Sequence, residues 1–282
     1  MLKNELQNEK ILKTVGQELL VAGYSKRTRE AYTQHIRDFM NFVKKDVKEV
    51  ERADIISFLA ELKEEREAAN NTISLVLASL RFLFRNILKM DVVDDIKNPK
   101  KGKKLPTVLT KEEVRALIKA GKIGRDRLII EFLYSSGCRV SEAVSMKITD
   151  LNLKERLATV RGGKGNKDRI IVLSQKWISN LKRHLKHRKI PSEYIFSKKN
   201  GKPISVDTIQ RIIRTCTERA KILKKVTPHS LRHSFATHLL DAGENIRKIQ
   251  ELLGHSNLNT TQIYTKVSVE GLKKVKSPLD NL

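Results

Sequence analysis

Cysteine is almost missing: Cys138 and Cys216 are the only two in 282 residues, with no CxxC pair and no disulfide pattern. That excludes a disulfide-stapled scaffold, suits a reducing compartment and leaves both thiols as small core residues. Glycine (13) and proline (6) are also scarce, and 39% of residues are hydrophobic, which excludes a disordered chain and favours folded, mostly helical domains. Long apolar runs are lacking. The stretch from Ile73 to Leu80 is far too short to span a bilayer, and the opening "MLKNELQNEKILKTVGQELL" has neither the apolar core nor the small-residue cleavage site of a signal peptide. A cytoplasmic protein with no membrane partner is expected. Acidic residues are outnumbered, 32 against 57 Lys and Arg, for a formal charge of +25. So basic a chain calls for a polyanionic partner, of which nucleic acid is the commonest.

Apolar residues recur at helical spacing through the first hundred positions: Leu12, Val15, Leu19; Ile36, Phe39, Met40, Val43; Ile55, Phe58, Leu59, Leu62; Leu77, Leu80, Phe84, Leu88. The spacing predicts a small four-helix bundle over 1–97, with Ser25 and Asn71 as N-caps and basic surface residues that include Lys26, Arg27, Arg29 and Arg81. "NPKKGKKLP", residues 98–106, reads as a linker carrying Lys100, Lys101, Lys103 and Lys104. Those lysines suit a solvated connector and a segment crossing a phosphate backbone equally well. A second domain is expected over 107–282. Thr110 and Glu113 form a capping-box signature at its start, and "RLATVRGGKGNKDRIIVLS" reads as a β-hairpin among helices. The expected fold is therefore mainly α with a small antiparallel β-sheet. No internal repeat is present.

Four stretches carry candidate chemistry. In "SSGCRVSEAVSMKITDL" Gly137 ends one helix and Arg139 opens the next, beside backbone N–H groups that favour an anion; taken alone, Arg139 reads as the partner of Glu142 three residues on. The tip "GGKGNKDR" holds Lys164 and Lys167 outward on a glycine-rich turn, without the spacing of a phosphate-binding P-loop. In "TPHSLRHSFATHLLDAG", Thr227 and Pro228 start a helix that sets His229 and Arg232 on one face near its positive end. His233 and His238 read as packing residues. His229 and His233 stand four apart as in helical zinc sites, but no Glu lies between them and Arg232 adds a fixed cation, so no metal is expected. Finally, "LLGHSNLNTTQIYTK" ends a helix at Gly254, follows with His255 and reaches Tyr264, which is either half-buried packing or a nucleophile among cations.

Together these residues supply two arginines, one lysine, two histidines and a tyrosine, with no carboxylate cluster to hold a metal. Guanidinium groups grip non-bridging phosphate oxygens in a fork and stay charged, so the set suits metal-free attack on a phosphodiester. A tyrosine of pKa about 10 needs nearby cations or a neutral imidazole to lose its proton.

Arg139 in "GCRVSE", Lys164 in "GKGNK", His229 and Arg232 in "HSLRHSFAT", His255 in "LLGHSN" and Tyr264 in "QIYT" resemble, in order and spacing, the motif of the tyrosine recombinases, the phage-integrase family. The likeness is closest to the Xer branch, with its archaeal XerA-like members as one placement. It extends to "SKRTREAYTQHIRDFMNFV" and "NNTISLVLASLRFLFRNIL", which resemble helices of the family's SAM-like core-binding domain. The resemblance implies a clamp around duplex DNA at a specific recombination site, with the basic linker crossing the DNA. Tyr264 would attack the scissile phosphate to give a 3′-phosphotyrosyl link, Arg139, Arg232 and His255 would stabilise the transition state, Lys164 would protonate the leaving 5′-oxygen, and His229 would act as acid and base for the tyrosine. No cofactor, neither ATP nor metal, would be needed. The resemblance also implies a homo-tetramer on synapsed DNA, with an accessory or activating protein as a possible further partner. The tail "VSVEGLKKVKSPLDNL", with Val269, Leu272 and Val275 as its apolar stripe, would dock on a neighbouring protomer or fold back on its own domain. Dimer resolution is the expected task. A mobile-element integrase and a type IB topoisomerase-like enzyme are the alternatives in the same chemistry, and a non-catalytic architectural DNA-binding protein is the alternative in another class.

Overall fold

The structure is a computed structural model that describes residues 2–100, 105–162 and 168–254. It divides into two compact units, Met1–Lys103 and Lys104–Leu282.

The first unit contains α1 (Leu2–Val21), α2 (Lys26–Val43), α3 (Arg52–Glu64) and α4 (Asn70–Arg81), which runs on into a π-helical turn, Phe82–Leu88. The apolar stripes close on one another: Val15, Leu19, Ile36, Phe39, Ile55, Leu77, Leu80 and Phe84 are fully buried. Phe39 sits edge-on to Phe58 and Phe84, with centroids 5.3 and 5.9 Å away, a favoured aromatic geometry. Ser25 caps α2, its hydroxyl accepting from the Thr28 N–H. The expected cap at Asn71 is not found. Ala69, extended and without a side-chain cap bond, is the N-cap of α4, so the helix already includes Asn70 and Asn71; the Asn70 amide donates to the Lys100 carbonyl at 2.8 Å and accepts from Lys63 Nζ at 2.6 Å.

The second unit contains α5 (Lys111–Ala120), α6 (Arg125–Ser136), α7 (Val140–Ser145), the strands β1 (Leu151–Asn152), β2 (Leu157–Val160) and β3 (Arg169–Val172), then α8 (Gln175–Lys186), α9 (Val206–Arg219), α10 (Pro228–Asp241) and α11 (Ile246–Leu253). The strands form one antiparallel sheet in the order β1-β2-β3, with Leu157 opposite Val172 and Val160 opposite Arg169. The expected hairpin is thus β2 and β3, joined by a third strand too short to leave a period-two signature.

Helix α6 is the axis of this unit. Residues Leu128 to Leu133 are all buried, Glu131 included, and α5, α8, α9 and α10 pack around it. Phe132 lies against Trp177 and Phe196, and the Trp177 indole N–H is satisfied by the Leu128 carbonyl at 3.1 Å. Thr110 and Glu113 make the expected capping box at the start of α5. Cys138 and Cys216 are free and buried, as small core residues should be.

Gly137 ends α6 in the left-handed conformation, φ 63°. A β-carbon there would lie 2.4 Å from Phe235 Cδ1 on α10, so only glycine lets the two helices approach and turns the chain directly into Cys138 and Arg139.

Candidate active site

Helix α10 starts where Thr227 accepts from the Ser230 N–H and Pro228 takes the first turn, a position where its missing N–H costs nothing. One turn in, Arg232 points away from solvent. It is 3% exposed and donates to the Gly137 carbonyl at 2.6 Å and the Leu253 carbonyl at 2.7 Å. It therefore ties the C-terminal ends of α6 and α11 to the front of α10.

Arg139 is the N-cap residue of α7. Its backbone N–H donates to Glu142 Oε2 at 2.7 Å, its Nη1 to Glu142 Oε1 at 2.9 Å and its Nη2 to the Gly254 carbonyl at 3.3 Å. A third arginine, Arg169 at the start of β3, takes both oxygens of the same carboxylate at 2.8 and 2.7 Å and donates through Nε to the Leu252 carbonyl at 2.9 Å. Three consecutive carbonyls at the end of α11 are thus each met by a different arginine. A helix C-terminus leaves its last carbonyls without intrahelical partners and carries partial negative charge, so cations stabilise it. Three guanidinium groups against the single Glu142 carboxylate leave two positive charges in excess.

Burial pushes the Glu142 carboxyl up, but the hydrogen bonds and charge of Arg169, joined by the backbone and side chain of Arg139, outweigh it and hold the group at about 2. Cys138, wholly buried beside them, is pushed up to about 11. It is a neutral thiol and no nucleophile.

His229, in the first turn of α10, has its surface open to solvent, yet its surroundings strip enough water to lower its pKa, and the charges of Arg232 and Arg139 lower it further. Both effects favour the neutral imidazole, which has a nitrogen able to accept a proton. One turn on, His233 is held down to about 4 by burial, then by His229 and Arg232. His238 packs as expected, its Nδ1 2.9 Å from the Tyr134 hydroxyl on α6.

Of the residues singled out in the sequence, Arg139, Arg232 and His229 are brought into one electrostatic cluster. Lys164, Lys167, His255, Tyr264 and the tail with Val269, Leu272 and Val275 lie outside the described residues, as do Lys101, Lys103 and Lys104. In the first unit Arg27 and Lys100 are exposed and Lys26 pairs weakly with Glu30 at 3.9 Å. Arg81 is turned inward, to Asn98 Oδ1 at 3.2 Å and the Ile96 carbonyl. Sequence reasoning missed Arg169 altogether and saw Glu142 only as a surface partner. Among the described residues no group of three or more His, Cys, Asp and Glu could hold a metal ion, and no helix is long and apolar enough to cross a membrane.

Beside the start of α10 an open groove of about 700 Å³ runs along α9, lined by Gln210, Arg211, Arg214, Lys224, Lys225 and Thr227 among others. Asp207, Glu218 and Pro228 also line it; Lys224 donates to Glu113 at 2.7 Å, and Arg211, Arg214 and Lys225 are exposed.

Comparison with known proteins places these features. Residues 107–270 match the model of the phage integrase family, and residues 11–94 match its N-terminal SAM-like domain. Tyrosine recombinase XerA of Pyrococcus furiosus is 40% identical over 280 residues, covering 97% of this chain and 95% of the relative. A crystal structure of XerA recombinase aligns with a TM-score of 0.56 at 30% identity, over 94% of this chain and 96% of that one. XerH site-specific recombinase, bound to a palindromic difH substrate in a post-cleavage complex, aligns with a TM-score of 0.73 at 25% identity, over 89% and 80%.

Proposed function

The chain belongs to the phage integrase family and is a site-specific tyrosine recombinase, an enzyme that cleaves and rejoins DNA strands; from that premise we propose that it works through a 3′-phosphotyrosyl intermediate formed by Tyr264. The observation that carries this reading is the placing of Arg139 and Arg232, from distant parts of the chain, on neighbouring carbonyls of one helix end, with neutral His229 close by.

The Tyr264 oxygen attacks the scissile phosphorus as its proton passes to His229. The bond from phosphorus to the 5′-oxygen breaks, and Lys164 protonates that oxygen so that it leaves as a hydroxyl. Arg139 and Arg232, with His255, bear the charge that builds on the non-bridging oxygens in the transition state. The phosphotyrosyl bond keeps the energy of the bond it replaced, so a 5′-hydroxyl from a partner strand reverses the step. Neither ATP nor a metal ion enters this balance.

The groove along α9 holds the duplex through Arg211, Arg214, Lys224 and Lys225, and Lys26, Arg27 and Lys100 extend the grip, with Lys101, Lys103, Lys104 and Lys167. Neutralising phosphates releases counterions, which makes such binding strongly salt-dependent. The working unit in this proposal is a homo-tetramer on two synapsed sites in the cytoplasm, the tail beyond Tyr264 joining neighbours, and the task is resolution of chromosome or plasmid dimers.

Incubating the protein and its Tyr264→Phe variant on nicked duplexes, without metal or ATP, tests the chemistry. An SDS-resistant adduct on a DNA 3′ end that only the unaltered protein makes is the expected result. An adduct surviving in the variant, or joined to the 5′ end, overturns the mechanism.

A further inference from the structure

Arg169 has no part in the chemistry set out above, yet it is closely held at the site. It bridges the Glu142 carboxylate with both terminal nitrogens and the Leu252 carbonyl with Nε, and it is only 9% exposed. All three of its nitrogens are committed to the protein, two of them to a charged carboxylate, whereas Arg232 is held on neutral carbonyls. Arg139 shares the same carboxylate but is 21% exposed.

The end of α11 is shaped around Arg169. Gly254 caps the helix in the left-handed conformation, φ 63°, and a β-carbon on it would lie 2.7 Å from Arg169 Cδ and 3.2 Å from Nε. The stem of Arg169 therefore fills the space a side chain at 254 would need. Gly254 is also the residue from which the chain leads on to His255 and Tyr264.

We propose that Arg169 is a positioning residue for strand cleavage, one that fixes the end of α11 against Glu142 and so sets both the Arg139 guanidinium and the point from which the chain departs toward Tyr264. This rests on the recombinase reading. Without Arg169, Glu142 would be left to Arg139 alone and would draw it fully into an ion pair, and the Leu252 carbonyl would lose its donor. The expected defect is in the rate of the chemical step and not in affinity for DNA, because Arg169 is outside the lining of the groove along α9.

The test measures single-turnover formation of the covalent adduct and, separately, DNA affinity. Arg169→Ala is expected to slow cleavage about 100-fold, the scale on which a small misplacement acts, with affinity changed less than about 2-fold. Arg169→Lys should recover only part of the rate, since a point charge cannot bridge a carboxylate and a carbonyl together. Guanidinium ion at tens of millimolar, added to Arg169→Ala, should restore a measurable share, which a role in general folding would not allow. Gly254→Ala, made to push the Arg169 stem aside, should also slow cleavage, and adding it to Arg169→Ala should cost less than the product of the two defects, because the clash is gone and only the strain of a left-handed alanine remains.

If the unaltered protein makes adduct and Arg169→Ala makes it at the same rate, the inference is overturned. Loss of affinity in step with the rate, no guanidinium rescue and multiplying defects for the two sites would also overturn it. If Arg169→Ala does not fold, Arg169→Lys and Gly254→Ala decide by the same criteria. Failure of the unaltered protein to make any adduct sinks the recombinase reading first, and is told apart because it precedes any variant.

Discussion

Arg232 Nη1 lies 2.6 Å from the Gly137 carbonyl, with the arginine 3% exposed. A side chain assigned to grip phosphate is thus also the bolt between two helix ends. Function and stability share it.

Replacing Arg232 with Ala strips donors from the Gly137 and Leu253 carbonyls together. Cleavage should fall by about 10²–10³-fold, as when one transition-state donor is lost, and the unfolding free energy by about 1–3 kcal/mol for the buried carbonyls. Single-turnover cleavage and a urea melt on the same preparation read both; a stable protein that cleaves normally would show that the bolt matters to neither.

Gly137→Ala acts on packing instead. The new methyl meets Phe235 at a distance no carbon tolerates, on a backbone at φ 63°, so a loss of about 1–3 kcal/mol is expected from overpacking. Pairing it with Phe235→Leu should return part of that stability, measured as the shift in urea midpoint.

Acid should unfold the second unit in two stages. His233 is neutral in the fold down to about pH 4, against a usual 6.5, so the unfolded chain binds the extra proton and stability falls as pH drops from about 6.5 to 4. Glu142 is ionised in the fold down to about pH 2, against 4.5; its contribution, on the order of 3 kcal/mol, is complete above pH 4.5 and is lost as pH falls through 2. His233→Gln should shrink the first stage, to which His229 and His184 also contribute, and leave the second, in unfolding free energies taken across that range.

Along α9, Arg211→Ala and Arg214→Ala should each lower the slope of log affinity against log salt by about 0.9 if they meet one phosphate apiece. Covalent capture at low salt should continue in both. An unchanged slope in both variants removes the groove from the DNA interface.

Local signals carried much of the fold into the sequence. The capping box at Thr110, the Thr227–Pro228 start and the glycines after α6 and α11 act within one turn, so their residue types announce them. Asn71 misled because the helix begins one residue earlier, at Asn70, after an Ala69 that has no side chain able to cap it. The π-helical turn at Phe82–Leu88 continues the apolar spacing of α4 and has no composition of its own. At the site, the pairing of Arg139 with Glu142 was legible from their spacing, while its reach across to Gly254 was not. Arg169 was illegible for a plainer reason. In "KDRIIV" it looks like the polar start of a strand, and its partners Glu142 and Leu252 are neighbours only after the sheet, α7 and α11 have packed.

The helix end that carries the arginines has one more effect. Carbonyls at a C-terminus usually turn to water, whereas those of Leu252, Leu253 and Gly254 are met by protein N–H groups. A phosphotyrosyl bond keeps its value for rejoining strands only until water attacks it. In the proposed mechanism, a pocket wall that has no need to recruit hydration leaves fewer rivals to the incoming 5′-hydroxyl.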